Sequence, residues 1–183
     1  MDGDELLSAV ALNLPDSWLV TVAWAAAWTA LMLAYSPLAD RLAAKVFVAP
    51  PALGAFRAIQ KSKVNLAVGI VIAWVLGGFI EEMLLRGVLL KCVAARLMPV
   101  VLPGLAIMAA VIAAAIGGAL LHIYQGPRAM LIIMQLSALF GVLFVASGYN
   151  LWAVILCHGF YDTIAFVRFA RGKSRYARPI GAS

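Results

Sequence analysis

Two adjacent carboxylates and a guanidinium lie inside one apolar stretch of the chain. They are Glu81, Glu82 and Arg86, in the segment Glu-Glu-Met-Leu-Leu-Arg. Residues four apart share a helix face, so Glu82 and Arg86 are expected to form an ion pair. Glu81 is left without a full partner and can act as a general base, since ionisable groups at membrane depth are costly and usually functional. The alternative is a charge-balanced trio that only ties helices together.

Two histidines and an aspartate lie in later apolar segments. His158 and Asp162 are four residues apart, so both should project from one helix face. The aspartate could fix the tautomer of the histidine, or donate a hydrogen bond itself when protonated. His122 follows several small residues that let another helix approach closely, although a histidine there can also be a simple interfacial group. We predict that these side chains converge with Glu81 in one buried polar site.

The composition is that of a membrane protein. The chain has 183 residues, 65% of them hydrophobic and 12% charged, whereas soluble domains are about 25% charged. A soluble protein of this size could not bury so much apolar surface. We therefore predict an all-α, polytopic transmembrane helix bundle of about five to six spans, forming a single domain over residues 1–183.

Charge and cysteine usage exclude other classes. The net charge of +6 comes from basic residues in loops and the tail, which suits anionic membrane lipids and does not indicate a nucleic-acid partner. The N-terminus is acidic and lacks the basic region of a cleavable signal peptide, so the first helix should be retained. Cys92 and Cys157 form no metal or redox motif and are expected to be buried and inert. No serine or cysteine is placed as an obvious nucleophile.

Apolar runs and breaks divide the chain into a first span, a basic connector, a helical core and a basic tail. The predicted segments are 17–35, 38–63, 64–169 and 170–183. We expect the first span to end before Pro37 and the connector to form short amphipathic helices on the cytoplasmic face, with an extra crossing at 42–59 as the alternative.

The core is predicted to begin with one long helical run and to continue with three shorter spans. These segments are 64–97, 100–124, 129–147 and 151–169. The first would be about 50 Å long, too long for a hydrocarbon core of about 30 Å without tilt, a kink or a break, and Gly77-Gly78 interrupts it. Five crossings with the N-terminus outside place the connector, Arg128 and the tail in the cytoplasm. Splitting the long run would give six.

Taken in order, the three polar segments resemble a known family. Glu-Glu-x-x-x-Arg, a histidine closing an apolar helix, and His-x-x-x-Asn/Asp are similar to the pattern of the CAAX protease and bacteriocin-processing (CPBP, or Abi) intramembrane proteases. Here the pattern begins at Glu81, continues at His122 and ends at His158 and Asp162. The resemblance covers residues 64–166 and includes the run 150–158.

This resemblance implies an endopeptidase that uses a glutamate-activated water. Glu81 and His122 would activate the water, His158 and Asp162 would stabilise the oxyanion, and the second glutamate with the arginine would support them. The substrates would be CAAX-type lipidated proteins or other membrane-associated proteins. A prokaryotic cytoplasmic membrane is the implied location, with the tail in the cytoplasm.

Two positions depart from the family pattern. Gly118 stands where the second motif usually has an aromatic residue, and Asp162 stands where asparagine is commoner. An ionised Asp162 cannot donate to an oxyanion, so it would have to be protonated or orient His158.

Other chemistries remain open from sequence alone. No cofactor is predicted, but Glu81, His122 and His158 would make a catalytic zinc set, although the chain lacks a His-Glu-x-x-His motif. A non-catalytic immunity or scaffold protein is a second alternative. A haem protein ligated by both histidines is a third, but it leaves the acidic pair without a role. A proton-coupled transporter is disfavoured because no internal repeat is visible.

Overall fold

The computed structural model describes residues 11–173 and Tyr176, and this part of the chain is entirely helical where it is regular. Six α-helices are described, together with two π-helical segments. They are α1 (Trp18–Val46), α2 (Lys63–Ile72), the π-helical segments Ala73–Glu81 and Met83–Leu90, α3 (Lys91–Leu97), α4 (Pro103–Leu121), α5 (Pro127–Ala146) and α6 (Leu151–Ala170). Five helical stretches in the described residues are long and apolar enough to cross a membrane, with Lys63–Leu97 counted as one. The predicted all-α transmembrane bundle is confirmed.

The first helix is longer than predicted. Ser17 caps it by accepting a hydrogen bond from the backbone of Val20, and the helix then continues through Pro37 to Val46. The expected end at residue 35 is therefore wrong. A proline is tolerated inside membrane helices when neighbouring elements hold the chain. Here buried Asp40 accepts hydrogen bonds from Arg128 at 2.8 and 3.0 Å, which ties this last part of α1 to the start of α5.

The predicted connector is correspondingly shorter, and no helix crosses at 42–59. Residues 47–62 contain one 3₁₀ helix, Gly54–Gln60, in place of the expected amphipathic helices. The backbone N–H of Ala52 donates to Gln125 at 2.9 Å, and Ile59 is buried. The connector thus packs against the bundle, held by this backbone hydrogen bond and by the burial of Ile59. The predicted tail, 170–183, lies mostly outside the described residues.

The long run over Lys63–Leu97 is not broken at its glycine pair. The helix widens instead: the first π-helical segment contains both glycines and Glu81, and Glu82 lies between the two segments. Such π-helical turns are frequent at functional sites. A Cβ atom at Gly78 would lie 3.3 Å from the carbonyl oxygen of Ile155, so the glycine permits close approach of α6.

An indole holds this widened helix against α6. A Cβ atom at Gly159 would lie 2.4 Å from Trp74, so only glycine leaves room for the ring. The indole N–H then donates to Thr163 at 3.0 Å. This packing places the acidic pair of one helix beside the histidine of the other.

The two cysteines differ in their surroundings. Cys157 is buried, as predicted, whereas Cys92 is exposed on the surface of the bundle. The prediction for Cys92 is wrong. Helix α3 presents Ala94 to the interior, and Cys92, two residues earlier, lies on the exposed side of the helix.

Candidate active site

The predicted ion pair between Glu82 and Arg86 is present and fully buried. The guanidinium Nη1 lies 3.0 Å from Oε2 of Glu82, and both side chains are 0% exposed. On its other side Nη2 donates to the carbonyl oxygen and to Oγ of Ser137, each at 2.6 Å. Arg86 therefore links the π-helical segment to α5. Sequence reasoning missed Ser137, which lies 51 residues away on another helix.

Glu82 has a second partner that the sequence did not indicate. Its Oε1 lies 2.6 Å from Nδ1 of His158 on α6. A carboxylate can only accept, so Nδ1 carries a proton in this contact. Glu82 therefore restrains one edge of the His158 ring, and the same Oε1 also accepts a hydrogen bond from Nη1 of Arg86 at 3.1 Å. No local pattern signals this contact, because it depends on the packing of two helices that are distant in sequence.

The opposite edge of the His158 ring faces Asp162 and a glycine. Nε2 lies 3.5 Å from Oδ2 of Asp162, longer than a strong charge-assisted hydrogen bond. A Cβ atom at Gly77 would lie 3.2 Å from Nε2 and 3.4 Å from the same aspartate oxygen. The absence of a side chain at Gly77 therefore leaves room beside Nε2 for a reacting group. The two carboxylates thus occupy opposite edges of one imidazole.

An aromatic ring from α5 covers a face of this imidazole. The ring of Phe140 stacks on that of His158, with centroids 4.7 Å apart and an interplanar angle of 16°. The same phenyl ring lies 5.5 Å from Cζ of Arg86. Sequence reasoning gave no sign of Phe140, since an aromatic residue in an apolar helix is ordinary.

His122 ends α4, as its position in the sequence suggested. Its Nδ1–H donates to the carbonyl oxygen of Gly118 at 2.9 Å, so in the neutral ring Nε2 is an acceptor. A Cβ atom at Gly118 would lie 2.6 Å from Oγ of Ser137. This close approach explains why the chain has glycine there in place of an aromatic residue: α4 and α5 leave no space for a larger one.

A cavity of about 800 Å³ joins these groups. Glu81, His122, His158 and Asp162 all line it, whereas Glu82 and Arg86 lie behind its wall. Glu81 is only partly buried, and it is close enough to both histidines to interact with them electrostatically. The structure thus brings the predicted site residues together, four at the cavity surface and two in support. Their roles in catalysis remain predictions.

The zinc alternative has Glu81, His122 and His158 as ligands, and all three side chains line the cavity. In the described part of the chain, no three His, Cys, Asp or Glu side chains are grouped so as to hold a metal ion. Glu81, His122 and His158 share the cavity without meeting that condition.

Comparison with protein families places the chain in one of them. A family model described as type II CAAX prenyl endopeptidase Rce1-like matches residues 63–164, which is more than half of the chain. The match includes every predicted site residue and begins where α2 begins. No curated protein and no solved structure matches the chain. Five candidate spans and this match identify an integral membrane protein that belongs to the type II CAAX prenyl endopeptidase Rce1-like family, a family of intramembrane proteases.

Proposed function

We propose that the protein hydrolyses a peptide bond of a membrane-associated, CAAX-type substrate with a water activated by Glu81. The observation that supports this most is the shared cavity, since it collects two histidines and two carboxylates at one apolar surface within the bundle. Glu82 and Arg86 neutralise each other behind it, so Glu81 is free of that pair. A carboxylate in such a position is suited to general-base chemistry.

In the first step Glu81 accepts a proton from water while the water oxygen attacks the scissile carbonyl carbon. The unprotonated Nε2 of His122 accepts a hydrogen bond from the other O–H of that water and orients it. When the tetrahedral intermediate collapses, the C–N bond breaks and Glu81 returns its proton to the leaving amine. The base is then regenerated, and the products are an amine and a carboxylic acid, which ionises and releases its proton to solvent.

The developing oxyanion needs a donor, and His158 supplies it in this proposal. Nδ1 of His158 carries a proton and donates it in the hydrogen bond to Glu82. Nε2 can therefore donate only when the ring carries protons on both nitrogens. Glu82 and Asp162 on opposite edges balance the charge of that doubly protonated ring. Asp162 then acts as an ionised orienter of His158 and has no need to donate. This resolves the departure from the commoner asparagine. Loss of one oxyanion donor typically costs about 10²- to 10³-fold in rate.

The cavity wall supports a substrate with a long apolar group. Apolar side chains from the connector, α2, α5 and α6 make up most of it, including Leu53, Phe56, Val68, Ile132 and Phe166. A lipidated tail entering from the surrounding membrane would meet these side chains before the polar groups.

Contacts at one end of the bundle support the proposed membrane orientation. Arg128 pairs with Asp40, its guanidinium lies over the ring of Tyr176 at 5.9 Å, and it donates to the carbonyl of Val48 at 3.4 Å. The connector, the start of α5 and part of the tail therefore share one membrane face. The basic residues of these segments support the cytoplasmic face of a prokaryotic membrane.

Peptide cleavage tests the proposed activity. Purified protein in detergent should release the C-terminal tripeptide from a farnesylated CAAX peptide, detected by mass spectrometry, because the apolar wall binds the lipid and presents the peptide bond. The same peptide without the lipid should be cleaved far more slowly. His158→Ala serves as the variant expected to lose activity.

Failure to cleave would have a definite meaning if the protein is folded. If neither the farnesylated peptide nor a library of transmembrane peptides is cleaved, the non-catalytic scaffold alternative is favoured. Cleavage of transmembrane peptides alone would keep the protease and reject the CAAX-type substrate.

A strong chelator should leave the cleavage rate unchanged, because the proposed base is a carboxylate acting on water without a metal. The measurement is the rate of peptide cleavage after dialysis against the chelator. Loss of activity that zinc restores would contradict the proposal and assign Glu81, His122 and His158 to a metal.

A further inference from the structure

Phe140 is the only aromatic side chain that the described contacts place against both Arg86 and His158. It is 5% exposed and lines the cavity. It lies outside the charged and histidine motifs, and it has no group that could exchange a proton. Its importance to the site would therefore come from geometry alone.

The hydrogen bond from His158 to Glu82 fixes one edge of the imidazole but does not fix its plane. The carboxylate can accept over a broad range of directions, so the ring can still tilt about this contact. Asp162 faces the opposite edge at 3.5 Å, and two edge contacts still allow the ring to rotate about the line that joins them. The stacked phenyl ring is what limits this tilt, since its centroid is 4.7 Å from that of the imidazole and its plane is within 16°.

Phe140 also approaches the other end of the same chain of contacts. Cζ of Arg86 lies 5.5 Å from its ring centroid, within the range of a cation–π interaction. Ser137, three residues earlier and on the same face of α5, accepts two hydrogen bonds from Arg86. One turn of α5 thus contacts the guanidinium and the imidazole that flank Glu82.

We propose that Phe140 is a positioning residue that holds the His158 ring so that Nε2 points to the reacting carbonyl. This inference rests on the proposed function and adds to it the residue that sets the direction of the oxyanion donor. A misplacement of about 1 Å at a catalytic group can cost about a hundredfold in rate.

The test compares Phe140→Leu with Phe140→Tyr and with Phe144→Leu. Phe144 is one turn further along α5, is fully buried and does not line the cavity. Phe144→Leu therefore removes a buried aromatic ring from the same helix, as Phe140→Leu does, but away from the site. Phe140→Leu should lower kcat by about ten- to a hundredfold with little change in KM, since orientation is lost and binding is kept. Phe140→Tyr keeps the stacked ring and should retain most of the wild-type kcat. Phe144→Leu should leave kcat near that of the wild type.

A second readout does not depend on protease activity. The chain has 2 histidines, so histidine-only isotopic labelling gives two sets of ring signals, which His122→Gln assigns. The His158 signals should carry a ring-current shift that Phe140→Leu removes and Phe144→Leu keeps. If those signals do not respond to Phe140→Leu, the inference is overturned whether or not any peptide is cleaved.

The kinetic outcomes separate the inference from the proposed function. An active wild type with an unchanged kcat in Phe140→Leu, or with equal losses in the two leucine variants, rejects the positioning role alone. An inactive wild type rejects the proposed function, and the labelled ring signals then decide whether Phe140 fixes His158.

Discussion

Glu81→Gln is expected to lower kcat/KM for the farnesylated peptide by about 10²- to 10⁴-fold, the range that general-base catalysis contributes. Glutamine keeps the shape of the side chain but cannot take a proton from water. Glu81 reaches the cavity, whereas Glu82 is occupied by Arg86 and His158 and is not free to replace it. The measurement is the initial rate over a range of peptide concentrations.

The control for this change is Asp16→Asn. Asp16 is exposed and precedes α1, so the same loss of one acidic group should leave kcat/KM unaltered. Unfolding curves of both variants should match the wild type, because neither residue belongs to the buried ion pair. If Glu81→Gln keeps nearly full activity, Glu81 is not the base, and His122 becomes the next residue to test.

The sequence predicted what depends on periodicity and composition. Apolar runs located α4, α5 and α6 to within a few residues, because a membrane span needs about 20 apolar residues. Spacing by four correctly paired Glu82 with Arg86. These features are local, so one stretch of sequence contains all the information that they need.

What the sequence missed depends on packing between distant segments. Pro37 indicated a helix end, but the buried pair of Asp40 with Arg128 holds the helix beyond it. The contact of Glu82 with His158 and the stacking of Phe140 join helices that are far apart in sequence. No single segment carries a signal for such contacts. The widened helix around the acidic pair was also missed, because glycines predict a break more readily than a π-helical turn.

Arg86→Met is expected to lower the free energy of unfolding by about 3–5 kcal/mol, since it removes one partner of a fully buried ion pair. Methionine keeps the apolar length of the side chain, so lost packing volume is a small part of this cost. The measurement is denaturant-induced unfolding in mixed micelles, followed by circular dichroism.

The control is Arg96→Met, which lies on the same continuous helical run but is exposed. Its cost should stay within about 0.5 kcal/mol, as for most surface substitutions. An equal loss in Arg86→Met and Arg96→Met would show that the arginine side chain itself, and not its burial beside Glu82, sets the stability.

The double variant Glu82→Gln/Arg86→Met separates the structural role of the pair from its catalytic role. Removing both charges together leaves no buried carboxylate without its guanidinium, so most of the stability lost in Arg86→Met should return. Activity should stay low, because the neutral amide no longer balances a doubly protonated His158 across the contact of 2.6 Å. A stable double variant that also regains full activity would mean that the pair only joins helices. A stable but inactive double variant would show that Glu82 has two roles. An uncharged pair can replace its pairing with Arg86, but not its contact with His158.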